Sequence, residues 1–238
     1  MIAAALKLDI ERYAAGMHRT NALYVGAATG RLTPEIVGFY LFNVRHLVQH
    51  TPLHLERARR RALALGRTDL AEHFSQKLVE EHGHDRWADG DLSLLRERFG
   101  SDAEGALAPA LLTQLRWIEA LIDRDPALYL AYILFAEYLI VLMGPSWLSM
   151  VEARCGIPRQ MLSVIGNHAE LDKDHTDEGL DAIDALVCEP RQIGPMRETV
   201  ARAIALFERW SGEVLAHGVL SQSLRPEEPS SWTRASFA

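Results

Sequence analysis

His168, Asp172 and His175 form an HxxxDxxH array inside the stretch HAELDKDH. Offsets of four and seven residues return to nearly the same angle on a helix, so two imidazoles and a carboxylate share one face within two turns. A single helix donates several ligands to a metal in this way, and mixed nitrogen and oxygen donors suit iron. A second set lies in VEEHGHDRW, where Glu81 and His84 stand three apart, the Glu-x-x-His spacing of carboxylate-bridged di-iron sites in helix bundles. The third piece is Glu137, the one charge between Ala127 and Val151. A buried carboxylate must find positive charge or take up a proton, so Glu137 needs a partner. Three carboxylates and three imidazoles together match two iron ions with bridging carboxylates and positions open to dioxygen. Each piece alone has a plainer reading: Glu-x-x-His recurs on exposed helices, and Asp174, Asp177 and Glu178 extend the polar face around His175.

These residues need elements to hold them, and helical periodicity runs through the chain without any alternating β-branched run. The expected fold is all-α, an antiparallel bundle of about seven helices joined by short connections. Helices are expected over residues 6–26, from Pro34 to the glycine stop at Gly66 with a bend at Pro52, over 69–88, up to about 99–100, and over 108–122, 126–155, 158–187 and 193–217. Thr33-Pro34-Glu35 supplies an N-cap, a first-turn proline and an acidic residue. The segment from about 220 to 238 reads as an irregular arm on a single domain spanning 1–238. The apolar run around Glu137 reads as a buried core helix, because a mid-span carboxylate, Gly144-Pro145 and the lack of a basic flank argue against a lipid-facing span.

Composition narrows the function classes. The 238 residues carry 25 Lys and Arg against 32 Asp and Glu, a formal charge of -7, which disfavours a nucleic-acid binder that must displace phosphate counterions. Two cysteines, Cys155 and Cys188, form no disulfide framework and fit a reducing cytoplasm. The first residues are charged too early for a signal peptide. A cytoplasmic protein with a small-molecule substrate, no nucleic acid and no membrane is expected, with a homodimer open by analogy.

The motifs and helix order resemble the haem-oxygenase-like di-iron oxidases and oxygenases, related in fold to TenA and PqqC proteins, from about His18 to His217. In that family a Glu and His on the third core helix, a Glu on a very apolar later helix and an HxxxDxxH on the next bind two irons. The corresponding positions are Glu81, His84, Glu137, His168, Asp172 and His175. The spacing of three between Glu81 and His84 is similar to the branch containing the fatty-acid decarboxylase that makes terminal alkenes. Ala88 and Lys77 stand where the spacing-seven branches carry their second ligand. The resemblance implies an enzyme that takes up two Fe(II) per chain, the second held loosely, cycles through Fe(III) and activates O2. Its substrate would be a small amine, amino acid or fatty-acid-like carboxylate, altered by N-oxygenation, desaturation or C–C cleavage. Glu81 and Glu137 would be the bridging or shifting carboxylates, with His84 and His168 near one iron and Asp172 and His175 near the other.

Two other readings stay open. A metal-free TenA- or PqqC-like enzyme would turn the same side chains towards a thiamine-related compound or a cofactor precursor. A non-catalytic iron-binding bundle is disfavoured, because ferritin-like proteins carry two Glu-x-x-His motifs and this chain has one. His46, His50 and His54 are read as a pocket wall or surface face, and Tyr40, Tyr132, Tyr138 and Trp117 as core or cavity aromatics. His18 is read as a surface or packing histidine, Cys155 as an unreactive helix-end thiol, and Arg57, Arg59, Arg60 and Arg61 as a solvated helix end.

Overall fold

A computed structural model describes residues 1–101, 105, 107–187 and 189–223, with side chains through His217. Nine α-helices and two short 3-10 turns follow one another, and no strand occurs among the described residues: α1 Ile2–Thr20, α2 Ala22–Ala28, α3 Pro34–Ala64, α4 Thr68–Glu80, α5 Asp85–Phe99, α6 Pro109–Arg124, α7 Ala127–Cys155, α8 Ser163–Leu186 and α9 Ile193–Ser223.

α7 is the axis of the molecule. It is apolar on almost every face, burying Leu128, Leu130, Leu134, Phe135, Leu139 and Leu148 among others, and it packs against α8, α9, α2, α1 and α6. By length and composition it is the one helix among the described residues able to cross a membrane, yet 67% of its most apolar window is buried inside the protein. It is a core helix, as its sequence predicted. Gly144 allows a close approach to α8, for a Cβ there would stand 3.1 Å from Ala169 Cβ. The glycine therefore lets α8 lie down on α7 beside His168.

Several boundaries differ from expectation, each for a local reason. The first predicted helix divides at Asn21, whose side chain accepts from Tyr24 N at 3.1 Å and so caps α2, while its amide donates to Ser211 on α9 at 3.0 Å. α3 starts as expected, with Thr33 accepting from Ile36 N and Pro34 in the first turn, and it continues through Pro52. The helix expected over 69–88 is two helices. α4 ends at Glu80, and Gly83 at φ +87°, a left-handed conformation that glycine adopts without steric cost, turns the chain into α5. α9 runs on to Ser223; the rest of the expected arm, residues 224–238, and Cys188 lie outside the described residues.

Asp91 ties two of the ligand-bearing segments together. From α5, and 1% exposed, it accepts from Ser163 N at 2.9 Å, Ser163 Oγ at 2.7 Å and Val164 N at 2.8 Å. It thereby satisfies the free amides at the start of α8, the helix that carries His168. Asp91→Ala is expected to cost about 2 kcal/mol of stability, a lost cap with its amides left buried. Urea denaturation measures this.

Candidate metal centre

Four segments bring the candidate ligands together. Glu81 is the residue after α4 and His84 the residue before α5, so their three-residue spacing spans a turn rather than a continuous helix. Even so, Glu81 Oε2 lies 3.2 Å from His84 Nδ1. α7 supplies Glu137, and α8 supplies His168, Asp172 and His175. One ligand atom each from Glu81, His84 and His168 lies within 4.8 Å of the others, and the same holds for Glu81, Glu137 and His175. Glu81 belongs to both groups. Asp172, 3% exposed, falls in neither; its Oδ1 sits 3.1 Å from His175 Nδ1 instead.

The surroundings orient the imidazoles. His168 donates from Nδ1 to the Val164 carbonyl at 2.6 Å, which leaves Nε2 as the basic nitrogen. His84 stacks on Trp87 at 4.3 Å between ring centroids and meets His168 edge-on at 5.1 Å. The Asp172 hydrogen bond is the largest influence on His175 and raises its pKa, outweighing burial. For Glu81, burial raises the carboxyl, but the His84 hydrogen bond and the charges of His168, His84 and Lys77 together bring it below its ordinary value.

Lys77, seven residues before His84 and notable in the sequence only as a non-ligand, joins the cluster. It is 2% exposed, and its Nζ lies 3.3 Å from Glu137 Oε1 and 3.1 Å from Glu80 Oε2. Glu80 Oε2 also lies 3.6 Å from His175 Nε2. The signal was in the sequence: Leu70, Phe74, Lys77 and Glu81 continue one inward stripe at helical spacing. Lys77 supplies the cation that a buried Glu137 requires.

Glu137 remains under strain from its neighbours. Burial is the largest influence and pushes it up to about 8, with Asp172 and Glu81 adding repulsion against the pull of Lys77 and His175. Folding thus favours its protonated form. The stability this contributes is present below the ordinary value near 4.5 and is lost as pH rises through about 8. The Tm of the metal-free protein should fall from about pH 5 to about 8, and Glu137→Gln, which does not ionise, should flatten the fall. Thermal denaturation across that range checks it.

The donor set fits iron. It offers imidazole nitrogens and carboxylate oxygens, and Glu137 Oε2 is buried with no hydrogen-bond partner among the described residues. Above the cluster opens a chamber of about 220 Å³ lined by Glu81, Glu137, His168 and Asp172 at one end and by aliphatic and aromatic side chains elsewhere. Tyr129, not singled out by spacing, lines it and stacks on Tyr132 at 5.8 Å.

No family description matches the chain by sequence, and no curated protein matches it. Solved structures do. A domain of unknown function with a heme oxygenase-like fold from Shewanella denitrificans OS217 superposes with a TM-score of 0.80 at 16% identity, covering 94% of this chain and 97% of that one. The fold is haem-oxygenase-like. Two structures of a CADD-like protein of unknown function from Nostoc punctiforme PCC 73102 are also similar, with TM-scores of 0.66 and 0.64, each at 16% identity. They cover 87% and 91% of this chain and 95% and 96% of theirs.

Other candidate residues of the haem-oxygenase-like bundle stand apart from the cluster. His18 is exposed on α1, its Nε2 facing Arg19 at 3.3 Å, and does not line the chamber. His46 and His50 turn Nδ1 to the carbonyls of Phe42 and His46. Burial first, then His50 and Arg57, hold the buried His54 down to about 4, so it is neutral. Arg57 pairs with Asp123, Arg59 and Arg60 with Glu56, and Arg61 donates to the Asp123 carbonyl. Burial pushes the Cys155 thiol up, the opposite of an activated nucleophile. Tyr40 and Tyr132 line the chamber, Trp117 packs edge-on against Tyr132, and Tyr138 donates to Glu11 at 2.7 Å.

Proposed function

We propose that this chain is an O2-dependent non-haem di-iron oxidase or oxygenase that oxidises a small molecule held in the chamber. One observation carries the reading: Glu81 is common to two three-ligand groups, with His84 and His168 on one side and Glu137 and His175 on the other, at the end of an apolar chamber. Glu81 would then be a ligand common to both ions. Glu137 would help to hold the second ion, and Asp172 would orient His175 or join it as a ligand. Two irons bound there supply the electrons and open positions that activate dioxygen.

The chain's own residues do the rest. The Val164 carbonyl fixes the His168 ring, Trp87 covers His84, and the aliphatic and aromatic walls keep bulk water from the reacting end. The same reading has the enzyme working in the cytoplasm, without nucleic acid or membrane. Its test is oxygen consumption after anaerobic loading with Fe(II), with a panel of amines, amino acids, carboxylates and alcohols. Iron-dependent uptake of O2 that one compound accelerates supports it. Turnover of a thiamine-related compound by the metal-free protein would replace it with the metal-free enzyme of the same fold.

A further inference from the structure

The chamber's chemistry says more about its occupant than the metal ligands do. Among the described residues no lysine or arginine lines it, and its acidic and imidazole side chains are those of the cluster, Glu81, Glu137, His168 and Asp172. Elsewhere the wall is built from such side chains as Val44, Leu47, Phe135, Ile140, Met143 and Trp147. A carboxylate or ammonium on the body of a ligand would lose its hydration there without meeting an opposite charge.

Two buried polar groups in that wall are nonetheless unsatisfied. Gln114, on α6 and 4% exposed, donates from Nε2 to the Tyr132 hydroxyl at 2.9 Å, and its Oε1 has no partner. Turning the amide over would exchange the two atoms and still leave one open. Trp210, on α9 and 3% exposed, has no acceptor for its Nε1–H. Two other polar groups of the wall are satisfied within the protein: Asn21 bonds Ser211, and the Tyr24 hydroxyl meets Ser146 Oγ at 2.8 Å. Buried polar atoms left unpaired cost about 1–3 kcal/mol each, which a ligand recovers by pairing with them.

We propose that the chamber binds a neutral, largely apolar molecule bearing an uncharged hydrogen-bonding group, a hydroxyl or an amide, recognised by Gln114 and Trp210. Such a group can meet either atom: it donates, as Gln114 Oε1 requires, or accepts, as Trp210 Nε1–H requires. The chamber has room for about seven water volumes, the size of a medium-chain alcohol rather than a polycyclic one. That the bound molecule is then oxidised rests on the di-iron reading; that it binds does not.

The experiment compares octanol with octanoate, titrated near neutral pH into the metal-free full-length chain by calorimetry and tryptophan fluorescence, since Trp147 and Trp210 both line the chamber. Octanol is expected to bind at least about tenfold more tightly than octanoate, whose carboxylate meets no cationic side chain in the wall. Gln114→Leu and Trp210→Phe are each expected to weaken it about fivefold, with Fe(II) stoichiometry and helical circular dichroism unchanged. Octanoate binding as well as octanol, octanol failing to bind, or folded variants that keep full octanol affinity would overturn the proposal. The comparison in the unaltered chain decides the matter even if a variant does not fold. Octanol binding to a chain that takes up no iron would sink the oxidase reading alone; iron uptake with octanoate preferred would sink this one alone.

Discussion

Glu81→Ala is expected to abolish uptake of both irons, whereas His84→Ala and His175→Ala each remove one. The difference follows from sharing: Glu81 is in both three-ligand groups, His84 only in the first and His175 only in the second. Losing an imidazole from a three-ligand site weakens it by at least about a hundredfold, since even the outer partners of ligands are worth roughly ten- to a hundredfold. Removing the common carboxylate also takes away the negative charge that offsets two closely placed divalent ions. Anaerobic Fe(II) titration followed by metal analysis reads the stoichiometry, with helical circular dichroism as the check on folding. His50→Ala is the control: its Nδ1 is engaged by the His46 carbonyl, it is in neither group, and two irons should remain. Loss of both ions in His84→Ala would mean that the two groups do not fill separately.

Lys77→Met should move affinity and stability in opposite directions. The ammonium stands 3.3 Å from Glu137 Oε1 and 3.1 Å from Glu80 Oε2, beside the second group rather than the first. A divalent ion there must overcome the lysine's repulsion and compete with it for Glu137. At an effective dielectric constant near 20, unit charges about 4 Å apart interact by roughly 4 kcal/mol, so relieving part of this should tighten the second iron at least about tenfold. Above about pH 8, where Glu137 is ionised, the metal-free protein should meanwhile lose Tm, because methionine fills the volume but leaves the carboxylate without its cation. The first iron, held by Glu81, His84 and His168, should change little. Calorimetric Fe(II) titration with thermal denaturation of the same sample separates the effects; a weaker second iron in the variant would show that Lys77 assists the site.

What the sequence disclosed, and what it hid, divides along local and tertiary lines. His168, Asp172 and His175 were legible because one continuous helix carries them and its period places them on one face. Glu137 stood out as the only charge on an otherwise apolar helix, a contrast that survives any error in its bounds. The Glu81–His84 pair was visible as a spacing but not as a shape, since a glycine inside a helical pattern does not announce the positive φ that Gly83 adopts. The Asn21 cap was overlooked because the apolar pattern runs through it unchanged. Asp91, just beyond the helix expected over 69–88, caps a helix begun 72 residues later, a contact that no local pattern reveals. Gln114 and Trp210 lie on helical stripes that any core would show, and only assembly of the bundle shows them short of partners.

The most direct test of the central claim is calorimetric titration of the metal-free, unaltered chain with Fe(II) under strict anaerobiosis. Two uptake events totalling about two irons per chain are predicted, the first tight and the second weaker because it meets Lys77 and a protonated Glu137. The second should strengthen as pH rises towards about 8, where Glu137 gives up its proton. A chain that binds no iron at any pH in this range would contradict the account and leave the cluster to an organic ligand.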